Sequence, residues 1–122
     1  TLVSNNLKEV EVVLNSEAIL IGNPNLSTEK REILSELLFR FDSYKNAEGK
    51  KYIILNIPNE KIDAVCQLLP GMKAPTVTPL KKEGWSSLHS VIEEKQFWDI
   101  INQLKTLGAE GILVVPIEKM IL

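Results

Sequence analysis

The chain has 122 residues, which suits one domain or one domain with an appended piece. With 44% hydrophobic and 25% charged residues it has the composition of a folded globular protein, which argues against disorder, a fibre or a low-complexity tract. The formal charge of -2 offers no concentrated positive surface for nucleic acid. Lys50-Lys51 and Lys81-Lys82 read as solvated strand and loop edges.

The chain opens at Thr1 without a methionine, and Thr1 to Ser4 lacks the basic and apolar runs of a signal peptide. No run is long enough to span a membrane, so the expected compartment is the cytoplasm. Asn5 and Asn6 are placed to cap a short helix carrying Leu7, Val10, Val13 and Leu14. Ala18 to Ile21 reads as a brief strand closed by Gly22, Asn23 and Pro24. So short a strand needs neighbours, which suggests that this N-terminal piece was cut from a larger sheet. Ser27 or Thr28 then caps a longer helix with Ile33, Leu34, Leu37, Leu38, Phe41 and Tyr44 on one broad apolar face. Lys45 to Lys50 reads as its end plus a linker, and the domain boundary falls there, separating residues 1–49 from 50–122.

From that point the pattern is regular. Lys51 to Ile57 is a strand, ended by Pro58. Asn59 caps a helix through Leu69, with Ile62, Val65, Cys66 and Leu69 inward, and Pro70-Gly71 stop it. Thr76 to Leu80 is a short strand, crowded by Pro75 and Pro79 toward a sheet edge or a bend. Trp85 to Ile92 alternates: Trp85, Ser87, His89 and Val91 point one way, and Ser86, Leu88, Ser90 and Ile92 the other. One face should meet helices and the other should be partly wet or face a partner. Trp85 and Val91 suit either such a contact or the core. Glu93 to Leu107 is a helix with Phe97, Ile100, Ile101, Leu104 and Leu107 as its stripe, Gly108 stops it, and Gly111 to Pro116 is the last strand. The order strand, helix, strand, strand, helix, strand predicts an α+β, ferredoxin-like βαββαβ domain with helices on one sheet face.

Chemistry is sparse. Cys66 is the single cysteine, read as a buried, reduced core residue, and His89 is the single histidine. A Cys–His nucleophilic pair needs an orienting third group that the sequence does not offer, and one His with one Cys is too few for zinc. Glu60, Asp63 and Glu93 sit at helix starts, where the helix dipole alone accounts for them. No P-loop or dinucleotide fingerprint is present. The loop from Pro70 to Thr76 is either a binding place or a rigid connection, and taken alone the second reading is favoured.

The same residues carry a specific resemblance. Lys51 to Asn56, the run Leu68-Leu-Pro-Gly-Met-Lys-Ala-Pro-Thr76, Gly84-Trp85, Leu88-His-Ser-Val91, Phe97-Trp98, Leu107-Gly-Ala109 and Gly111 to Met120 resemble the C-terminal domain of long-form ATP phosphoribosyltransferase. Thr1-Leu2 with Asn5 to Val10 is similar to the part of that family's catalytic region just after its phosphoribosyl-pyrophosphate loop, although Val3-Ser4 departs from an expected arginine-containing stretch.

The resemblance implies an ACT- or PII-like regulatory domain at 50–122, preceded by a helix–strand–helix remnant of the catalytic region at 1–49. The parent enzyme would join ATP to phosphoribosyl pyrophosphate with magnesium, in the first step of histidine biosynthesis. This chain alone would be inactive, with no metal or cofactor of its own, since one hydroxyl at Thr1 cannot position two phosphorylated substrates. The partners implied are L-histidine as feedback effector and further copies, dimers assembling to a hexamer. The effector residues implied are Asn56, Met72, Thr76, Val91 and Gly111. Thr76 would offer its hydroxyl or amide and Gly111 a carbonyl, with Met72 and Val91 lining the pocket. Asn56 would hydrogen-bond the ligand amine without full charge pairing. Ser87 and Ser90 are further donors, but they point to opposite faces and cannot share one pocket. The alternatives are an oligomerisation domain without an effector and a small enzyme built on His89.

Overall fold

The computed structural model describes residues 3–69 and 74–122. Val3–Asn5 form one 3-10 turn, and no helix or strand follows until Thr28. The helix expected at Leu7 to Leu14 and the strand expected at Ala18 to Ile21 therefore do not form. The reason is the lack of a partner surface among the described residues: Val10 and Val13 are each 96% exposed, and Leu14, Ile19 and Ile21 are exposed as well. A helix this short is marginal in water without packing, and a lone strand leaves its backbone unpaired.

Helix α1 spans Thr28–Ala47. Ser27 is its N-cap residue, although its side chain makes no capping bond; its carbonyl accepts from the Arg31 amide at 3.0 Å. The expected apolar face is present as a stripe but faces outward: Ile33, Leu37, Leu38, Phe41 and Tyr44 are exposed, and only Ser43 and Ala47 are buried. The C-terminal end of α1 is the end that is fastened. The Met120 amide donates to the Ser43 carbonyl at 2.8 Å, and Lys119 Nζ stands 5.4 Å from the Tyr44 ring centre. The expected linker shrinks to a turn at Glu48-Gly49, where Gly49 takes φ +70°. The Gly49 carbonyl accepts from the Glu94 amide at 2.9 Å.

Strand β1 covers Lys50–Pro58, helix α2 Ile62–Leu68, β2 Thr76–Pro79, β3 Trp85–Glu93, α3 Glu94–Thr106 and β4 Glu110–Pro116. The sheet order is β2-β3-β1-β4, with every neighbouring pair antiparallel. β3 lies between β1 and β2, and β1 lies between β3 and β4, so both crossovers are split. This is the ferredoxin-like, ACT-like arrangement that the element order predicts.

The two helices cover one face of the sheet. Ile53, Leu55 and Ile57 of β1 and Leu88 and Ile92 of β3 meet Val65 of α2, Leu69 just after it, and Phe97 and Leu104 of α3. Ile62, Cys66, Ile100, Ile101 and Leu107 are half-buried around them. Asn59 is not a helix cap. Its Oδ1 accepts from Ser86 Oγ at 2.7 Å and its amide donates to the Gly84 carbonyl at 2.8 Å, so it is tied to the start of β3. A 3-10 turn, Asn59–Lys61, intervenes before α2. β2 is a short edge strand ending in proline, as its composition predicts. Trp85 is half-buried, with Lys82 Nζ 3.7 Å from its ring centre.

Leu55 is fully buried at the centre of this core, so Leu55→Ala is expected to cost about 2–5 kcal/mol in chemical denaturation. Val13→Ser, at a position 96% exposed, is expected to change stability by less than about 0.5 kcal/mol.

Candidate functional site

The helices leave the second face of the sheet uncovered, and strand register decides which side chains stand on it. Pairing of Asn56 with Ser87 and of Ser87 with Thr78 places these three in one row. The next row holds Leu113, Ile54, His89 and Thr76, and the third holds Val115, Tyr52 and Val91. In β3, alternation assigns Trp85, Ser87, His89 and Val91 to this face, as the sequence pattern predicts.

Beside Asn56 the pairing of β1 with β4 slips. Ile54 pairs with Leu113 but Asn56 pairs with Glu110, so Gly111 and Ile112 together lie opposite the single residue Leu55. Gly111 takes φ +57° at this bulge, a conformation that glycine adopts without the Cβ clash of other residues. A Cβ there would lie 3.3 Å from Asn56 Nδ2. The bulge therefore makes a small notch in which the Asn56 amide meets bare backbone.

Of the five effector residues drawn from the resemblance, Asn56 and Gly111 are thus neighbours. Thr76 is exposed on β2, two strands from Asn56 and one row along, roughly 10–12 Å away. Val91 is half-buried in the third row, diagonal to Thr76 and remote from Asn56. Met72 lies outside the described residues. Ser90 faces the helices opposite Ile53, and its Oγ is buried with no hydrogen-bond partner among the described residues.

Between the two pairs stands His89. Its Nδ1 is 3.1 Å from the Tyr52 hydroxyl and its Nε2 is 3.0 Å from Ser87 Oγ. The Tyr52 and His89 rings meet edge to face, with centres 5.9 Å apart at 69°. Tyr52 is absent from the residues singled out by sequence, where it reads only as part of an apolar strand. The signal that finds it is parity: once β1 and β3 are antiparallel neighbours, Tyr52 shares the face of Val91 and His89.

Cys66, on α2, packs against the other side of the sheet from His89, so the two form no nucleophilic pair. It is half-buried rather than fully buried. Burial first, and the nearby Asp63 carboxylate second, push its thiol above the ordinary value. Between the helices an open groove of about 430 Å³, lined by Ala64, Leu68, Asn102, Gln103, Thr106 and Leu107, is likewise separate from the uncovered sheet face. Among the described residues no three His, Cys, Asp or Glu side chains are grouped to hold a metal ion. No helix among them is long and apolar enough to cross a membrane.

These features define a ferredoxin-like α+β domain with one sheet face packed and the other presenting a polar notch and an apolar flank. Comparison with known proteins agrees: the HisG C-terminal domain matches residues 47–119. The chain belongs to that family. The ATP phosphoribosyltransferase of Phocaeicola vulgatus is 66% identical over 122 residues, covering 100% of this chain and 43% of its own length. That of Bacteroides fragilis is 64% identical over the same span, again 43% of its length. That of Cytophaga hutchinsonii is 60% identical over 121 residues, 99% of this chain and 42% of its own length. The chain thus spans less than half the length of these curated relatives.

Two measurements test the local chemistry. Gly111→Ala forces a side chain into φ +57° against Asn56 and is expected to cost about 1–2 kcal/mol in denaturation, whereas Gly22→Ala, with nothing within 4 Å, is expected to be near neutral. For Cys66, the raised thiol holds a smaller thiolate fraction at any given pH. The pH profile of its alkylation is therefore expected to lie to the alkaline side of free cysteine, and Asp63→Asn is expected to bring it part of the way back.

Proposed function

We propose that this chain is the regulatory and assembly part of an ATP phosphoribosyltransferase, with residues 50–122 as an L-histidine-binding domain and residues 1–49 as the piece joining it to the catalytic region. The observation that carries the reading is the family match over residues 47–119, together with relatives of that name along the whole chain. The reaction, joining ATP to phosphoribosyl pyrophosphate with release of pyrophosphate, is assigned with its magnesium to the part of such enzymes that this chain does not span. This chain alone is then inactive, and it works in the cytoplasm as a unit of dimers that assemble to a hexamer.

The effector reading uses the uncovered face. Asn56 Oδ1 accepts from the ligand amine, the Gly111 carbonyl accepts a second N–H, and Thr76 donates from its hydroxyl or amide. Val91 and Met72 supply apolar contact. Several features of the face support this. The notch at Asn56 and Gly111 brings an amide side chain against open backbone, and the flank of Ile54, Leu113 and Val115 is apolar. A feedback ligand must also bind away from the catalytic groups and couple to them through a change of state. The competing reading, assembly without an effector, draws on the outward apolar stripe of α1, which suits a subunit contact.

Calorimetric titration with L-histidine, with solution mass measured alongside, separates the two. Saturable binding is expected, weakened roughly three- to tenfold by Thr76→Ala where the hydroxyl is the donor, through loss of one hydrogen bond. A folded, assembled sample that takes up no L-histidine would point to assembly alone.

A further inference from the structure

The hydrogen bonds at His89 take their direction from the imidazole tautomer. A neutral imidazole donates from one nitrogen and accepts at the other, while a hydroxyl does either. The chain of Tyr52, His89 and Ser87 can therefore run two ways. A phenol is a stronger acid than an alkyl hydroxyl, so Tyr52 is the better donor and Ser87 the better acceptor. The favoured arrangement is Tyr52 O–H donating to Nδ1 and Nε2–H donating to Ser87 Oγ.

One consequence falls on Ser87. Having accepted from His89, its own O–H is left to donate outside the chain. Ser87 is only 8% exposed, and among the described residues His89 is the one hydrogen-bond partner of its Oγ. That direction leaves the Ser87 proton for an incoming acceptor, whereas the reverse direction would satisfy it at Nε2 and turn the Tyr52 hydroxyl outward instead. Ser87 pairs across the strands with Asn56, whose amide borders the Gly111 notch. An outward donor and an amide acceptor side by side match the carboxylate and amine carried on the single α-carbon of an amino acid.

We propose that Ser87 donates to the α-carboxylate of an amino acid bound over Asn56 and Gly111, and that His89, anchored by Tyr52, is the positioning residue that sets Ser87 as a donor. This rests on the amino-acid-binding reading above and adds to it the group that recognises the carboxylate. It also assigns the single histidine a role that is neither catalytic nor merely structural.

The whole chain serves for the test, because His89 is its one histidine, and imidazole-¹⁵N labelling reports that residue alone. The Nε2–H tautomer is expected, with Tyr52→Phe moving the Nδ1 resonance and Ser87→Ala moving that of Nε2. A dominant Nδ1–H tautomer overturns the proposed direction. In parallel, unlabelled L-histidine and histamine, which lacks the carboxylate, are titrated against the parent chain and Ser87→Ala. Loss of a hydrogen bond to a charged group is expected to weaken L-histidine roughly ten- to hundredfold and to leave histamine unchanged. Equal weakening of both overturns the carboxylate assignment. If neither molecule binds a folded, assembled sample, the effector reading and the carboxylate role fall together, and the tautomer still decides the direction of the hydrogen-bond chain.

Discussion

The antiparallel pairing of β1 with β3 is the constraint on which the rest of this structure depends. It runs without a break from Lys50 opposite Glu93 to Pro58 opposite Trp85. Because side chains alternate along a strand, this one register sorts two sets of residues at once. Ile53, Leu55, Ile57, Leu88 and Ile92 go to the helices, and Tyr52, Asn56, Ser87, His89 and Val91 go to the open face. A slip of one residue would bury His89 and Asn56 and expose the leucines. Core stability and the composition of the candidate site are therefore consequences of the same set of backbone hydrogen bonds.

The departure from that regularity is local. The bulge in β4 lets one edge of the sheet change register while the central pair keeps its own. Gly111 tolerates the backbone conformation, and its lack of a side chain keeps the Asn56 amide accessible. A regular strand at this position would place a side chain where the notch now is. The hydrogen-bonded group at His89 depends on the opposite condition, an unbroken register, since its members come from two strands and are held by their alignment.

Much of this fold is legible in the sequence because the signals from residue 50 onward agree with one another. In β3 the alternation of Trp85, Ser87, His89 and Val91 with Ser86, Leu88, Ser90 and Ile92 identifies both faces. The stripe of Phe97, Ile100, Ile101, Leu104 and Leu107 with Gly108 behind it identifies α3 and its end. The first 27 residues read less well because Val10, Val13 and Ile21 carry apolar character whose partner surface is not among the described residues, and periodicity alone does not hold a short helix or a lone strand. Asn59 misleads for a related reason: its side chain has a stronger claim from Ser86 than from a helix terminus. The site is legible only in part, since Tyr52 joins His89 through strand order, and no local pattern in the sequence specifies which strands are neighbours.

The fastening of α1 has a mechanical consequence. Its C-terminal end is tied to the sheet through Ala47, the Gly49 turn and the returning tail at Met120, while its first turns stand clear of the domain. A helix of 20 residues is about 30 Å long, so a tilt of about 5° at its base would carry its tip through about 2–3 Å. The helix is thus a lever whose short arm is seated in the sheet. Small adjustments among the strands would emerge, enlarged, at the outward stripe of Ile33 and Leu37.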